Sequence, residues 1–123
     1  MKKVFIIAIA SIFILIACSK SNPNNTGGGT PPPPPLDCST VTAKAFAADV
    51  SPIIQTSCAT NSNCHGSGSI NGPGPLIDYT AIFNARTKIR SAVASGIMPK
   101  TGTITTAQKN SILCWIDSGA ADN

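Results

Sequence analysis

Two cysteines and the only histidine of the chain fall within eight residues, Cys58-Ala59-Thr60-Asn61-Ser62-Asn63-Cys64-His65, and Met98 follows inside Gly96-Ile97-Met98-Pro99. Thiols that add across porphyrin vinyl groups grip a c-type haem, and an imidazole directly after the second thiol is delivered beneath the iron. A thioether on the other side fills the sixth position and favours electron transfer over oxygen or peroxide chemistry. The residue types therefore predict covalent haem c held by Cys58 and Cys64, with His65 and Met98 as the iron ligands. The second ring nitrogen of His65 is expected to meet a carbonyl near Gly72 to Pro75. The spacing departs from the usual pattern: five residues separate the thiols, where the usual attachment motif has two.

Other metal chemistries suit these residues less well. Blue copper needs two histidines with a cysteine. Adjacent Cys64 and His65 cannot easily occupy two vertices of a zinc tetrahedron. A thiol-peptidase pair fails because neighbouring side chains diverge and nothing is placed to orient the imidazole. A haem enzyme lacks a distal histidine and would find Met98 over the iron, so no enzymatic activity is expected.

The segments before this site set its location. Residues 1–17 read as a lipoprotein signal peptide: Lys2 and Lys3, then an apolar run from Val4 to Ala17 broken only by Ser11. That run is shorter than a membrane-spanning helix requires. Leu15-Ile16-Ala17-Cys18 resembles a bacterial lipobox, which makes Cys18 the lipidation site and the bilayer a partner through its acyl chains. Residues 18–36 read as a tether, flexible through Gly27-Gly28-Gly29 and stiff through Pro31 to Pro35. The expected location is the cell envelope, on the periplasmic or outer-surface side of a membrane, the outer membrane being favoured.

Residues 37–123 then form one domain, near the size at which a cofactor or a disulfide is often needed. Nine Lys and Arg stand against five acidic residues, all Asp, and loss of Lys2 and Lys3 leaves seven against five, a net of +2. So small an excess gives no basic patch for nucleic acid. With one of the five cysteines lipidated and two on haem, Cys38 and Cys114 remain as a possible disulfide.

Three helices are expected to position the site. The first covers Val50 to Thr56, with Ser51 as cap and Pro52 in the first turn. The second covers Tyr79 to Ala94, between the cap Asp78 and the stop Gly96, and buries Ile82, Phe83, Ile89 and Val93. The third ends near Asp117 and opens on a capping box of Thr105 and Gln108. Ile112, Leu113 and Ile116 face inward, and Trp115 joins the two ends of the domain. Gly66 to Pro75 is loop, suited either to close approach to a cofactor edge or to turn geometry alone. Arg86, Lys88 and Arg90 read as solvated groups, one of which could reach a propionate. No strand alternation is sustained, so the fold class is all-α.

Phe46-Ala47-Ala48-Asp49-Val50-Ser51-Pro52-Ile53-Ile54, Cys64-His65-Gly66, Met98-Pro99 and Trp115-Ile116-Asp117-Ser118-Gly119-Ala120 together resemble the small c-type cytochrome domains of secreted and surface lipoproteins of Bacteroidetes and Planctomycetes type. The resemblance spans Phe46 to Ala120. It implies a cytochrome c-like domain of three main helices and long loops around a haem. It also implies Cys58 and Cys64 as attachment thiols, His65 as proximal ligand and Met98 as distal ligand. The function that follows is a membrane-tethered monohaem cytochrome carrying single electrons between redox protein partners. The competing expectation is a haem-free, disulfide-stapled lipoprotein used for binding or assembly, with Cys58 and Cys64 bridged.

Overall fold

The computed structural model describes residues 36–123. The expected signal peptide, the expected lipidation site Cys18 and nearly all of the expected tether lie outside the described residues. Three α-helices carry the fold: α1, Ser51–Ser57; α2, Tyr79–Ser95; and α3, Thr106–Asp117. No strand occurs among the described residues, and none of their helices is long and apolar enough to cross a membrane.

α1 is entered through one wider turn, Phe46–Val50, where the Val50 amide reaches the Ala45 carbonyl five residues back at 3.1 Å. Pro52 has no amide to donate, and its ring would crowd the carbonyl four residues earlier in a tight helix. The wider turn gives it room. Ser51 does not cap: the residue before α1 is Val50, and no side chain bonds the free amides there. The capping sits one turn earlier. The Asp49 carboxylate accepts from the Ala45 amide at 2.8 Å, and Asn123 accepts from both Phe46 and Ala47 at 2.9 and 2.7 Å. The C-terminal residue thus satisfies donors that a helix start leaves open.

The other helix ends follow local rules. Asp78 accepts from the Ala81 amide at 2.8 Å, and Gly96 closes α2 in the left-handed conformation at φ 75°. Thr105 and Gln108 exchange both bonds of the capping box, at 2.9 and 3.2 Å. On α2 the buried face is Ile82, Ala85, Ile89 and Val93, with Phe83 half-buried. α3 buries the run Ser111 to Trp115, and Ile116 is half-buried.

Trp115 joins the ends of the domain. Its ring centroid lies 5.3 Å from that of Phe46, and its Nε1 donates to the Ala121 carbonyl at 2.8 Å. Tyr79 completes the group, edge-on to Phe46 at 5.0 Å, with its hydroxyl donating to the Ala120 carbonyl. Edge contacts of this kind suit the charge distribution of aromatic rings. A disulfide joins Cys38 to Cys114, with 5.3 Å between their α-carbons, and closes a loop of 76 positions. Chain entropy alone assigns such a closure about 4 kcal/mol.

Of the basic residues of α2, Lys88 and Arg90 are exposed and Arg86 is half-buried. Arg90 grips Asp117 with two nitrogens, and the Arg86 guanidinium lies 3.9 Å above the Phe83 ring centre. The paired Arg90 holds the Asp117 carboxyl below its ordinary pKa, against a smaller opposing effect of burial.

Candidate functional site

The loop after α1 brings the chemical residues together. The His65 amide donates to the Cys58 carbonyl at 2.9 Å, and the Leu76 amide donates to the His65 carbonyl at 2.7 Å. His65 is buried, and its Nδ1 lies 3.2 Å from the Gly74 carbonyl. A carbonyl only accepts, so Nδ1 carries the proton, and in the neutral ring Nε2 is left as an acceptor. This contact falls within the segment expected from the sequence.

The five residues between the thiols fold around Asn61. Its carbonyl accepts from Cys64 and Gly66 at 3.1 and 2.8 Å, and its side-chain oxygen accepts from Asn63 at 2.9 Å. Gly66 lies against this backbone. A Cβ there would stand 2.8 Å from the Asn61 carbonyl carbon and oxygen. The glycines of the loop therefore serve packing and turns: Gly66 makes the close approach, and Gly68 and Gly74 take φ of 76° and 101°. Asn71 ties the far side of the loop back through its amide to the Asn63 carbonyl, and Gln55 of α1 donates to the Leu76 carbonyl. Neither polar tie announced itself in the sequence, because the partners are 8 and 21 positions apart.

Cys58, Cys64, His65 and Met98 border one open cavity of about 600 Å3. Pro99, Lys100 and Thr101 line it from the segment after α2, and the Met98 amide is held on the Ala92 carbonyl at 3.2 Å. A smaller recess of about 120 Å3 shares Cys58, His65 and Met98, and continues inward to Ile54, Leu76, Ile89 and Val93. Cys58 packs against the apolar core, and both Cys58 and Cys64 are free thiols. Burial, and then the nearby Cys64, push the Cys58 thiol above its ordinary pKa.

The expectation of covalent haem c is corrected here, and with it that of an electron-carrying cytochrome with haem iron between His65 and Met98. Among the described residues no group of three or more His, Cys, Asp or Glu side chains is arranged to hold a metal ion. The physical reason lies in the widened pair. A two-residue gap sets both thiols and the following imidazole toward one porphyrin, whereas five residues wound on Asn61 do not reproduce that motif. Iron, haem and redox-partner roles are withdrawn with it. Among the described residues the covalent bridge is Cys38–Cys114, the pair left over in the sequence reading, and Cys58 and Cys64 do not bridge.

No protein-family description matches the chain, and neither does any curated protein or solved structure. The likeness to small cytochrome domains rests on the motif residues alone.

Proposed function

We propose that this chain is a haem-free, disulfide-stapled lipoprotein whose helical domain binds a small apolar molecule. In this reading a scaffold of small-cytochrome type serves as a binding module without a catalytic role. Cys18 attaches the chain to a membrane of the cell envelope, and the Gly- and Pro-rich tether holds the domain away from the lipid.

The observation that carries the reading is the cavity bordered by Cys64, His65 and Met98. Its volume of about 600 Å3 falls within the roughly 300–1,000 Å3 common for small-molecule sites. Apolar core residues extend it inward through the adjoining recess. The rest of the domain is self-sufficient. Among the described residues no buried side-chain nitrogen or oxygen lacks a hydrogen-bond partner, and the Cys38–Cys114 bridge closes the fold independently of the cavity.

The test is export from a host with full haem-maturation machinery, followed by intact mass, visible absorbance and titration with an environment-sensitive apolar dye. The expected mass carries lipid and one disulfide but no porphyrin, and the dye is expected to bind with one-to-one stoichiometry. A Soret band in the exported protein, or failure of the dye to bind, would overturn the reading.

A further inference from the structure

Each of the two spaces has in its lining one lysine that makes no ion pair. Lys100 lines the larger space, and Lys88 lines the recess. No acidic side chain lines either one, and the one ion pair among the described residues is Arg90–Asp117. The recess is largely aliphatic, with Ile54, Leu76, Ile89 and Val93 in its lining. An exposed lysine lays its methylenes along apolar surface and keeps its ammonium in water. Such an edge attracts an anionic head while the wall behind it takes a hydrocarbon tail.

We infer that the ligand of this cavity is a single-chain amphiphilic carboxylate, its tail running through the larger space toward the aliphatic recess and its carboxylate near the exposed Lys100. The inference rests on the binding reading above and names the ligand class for the same site. Lys100 is the head-group anchor. Lys88, exposed in the lining of the recess, adds to the attractive field. The tail contributes through apolar area removed from water, which is independent of the head.

Because the two contributions are separable, one pair of probes tests them. Dodecanoate and 1-dodecanol share a tail and differ in charge. The full chain is titrated with each by calorimetry below the aggregation limit of the probe. Dodecanoate is expected to bind roughly fivefold tighter at low salt, the scale of one exposed ion pair. That preference is expected to vanish in the double variant Lys88→Gln, Lys100→Gln and to shrink in 0.5 M salt, with dodecanol affinity changing less than dodecanoate affinity in both. Equal affinity for the two probes in the unaltered chain overturns the carboxylate inference and leaves the apolar binding reading standing. If neither probe binds, both are overturned.

Discussion

The α-carbon of Gly66 rests on the backbone of Asn61, so close that a methyl group there would come within 2.8 Å of the Asn61 carbonyl. This contact binds the residue after His65 to the middle of the loop between the thiols. Backbone, unlike the end of a flexible side chain, cannot step aside cheaply. Gly66→Ala is expected to cost about 1–3 kcal/mol in urea unfolding, the range for forced overpacking. Unchanged stability would show that the loop shifts freely.

Removal of the Cys38–Cys114 bridge by Cys38→Ala with Cys114→Ala is expected to cost about 4 kcal/mol, because the closed loop is long. Thermal unfolding with and without the bridge measures it. Differential alkylation checks the pairing: Cys58 and Cys64 label before reduction, and Cys38 and Cys114 only after it.

Cys58 should alkylate slowly. The thiolate is the reacting species, and burial with a nearby second thiol raises the pKa of Cys58. Its rate with iodoacetamide is expected to lag behind an unfolded reference at neutral pH and to go on rising above the ordinary thiol range near 8.5. The same shift has a stability consequence. A folded pKa above the unfolded value means that stability present below the ordinary thiol pKa is lost as pH climbs toward the raised one. Peptide-resolved labelling across pH reads the first effect, and urea midpoints read the second.

The Arg90–Asp117 pair gives the opposite sign at acid pH. Asp117 has a lowered folded pKa, so its contribution is present above the ordinary carboxylate value near 4 and is lost as pH falls through the lowered one. Asp117→Asn is expected to flatten that part of the acid unfolding curve. The effect at neutral pH is small, because the pair is exposed and screened by salt.

Thr105→Ala removes one half of the capping box of α3 and is expected to cost about 1 kcal/mol. Helicity and urea midpoint together check it, since loss of the cap frays the first turn without disturbing Trp115.

The most legible parts of this fold were those ruled by near neighbours. Asp78, Gly96 and the Thr105–Gln108 box act within one helical turn, so their residue types alone marked the ends of α2 and α3. The apolar repeat through Ile82, Ile89 and Val93 identified the buried face of α2 for the same reason. Cysteine arithmetic reached Cys38–Cys114 only by giving Cys58 and Cys64 to a haem, whereas in the fold those two are free thiols.

At the start of α1 the sequence misleads, because one partner, Asn123, is distant in the chain and the wider turn shifts the cap off Ser51. Ser51 looked like a cap, yet Asn123 and Asp49 meet the open amides one turn earlier. Arg90 is exposed as expected, but its partner Asp117 lies 27 residues away on another helix, so the pairing was not legible. Residue types showed that Cys58, Cys64, His65 and Met98 could share one site. Only the folded backbone, through the turns on Asn61, set how the two thiols stand toward the imidazole and the cavity. A side chain carries its chemistry with it wherever it sits, whereas its direction depends on bonds made by the loop as a whole.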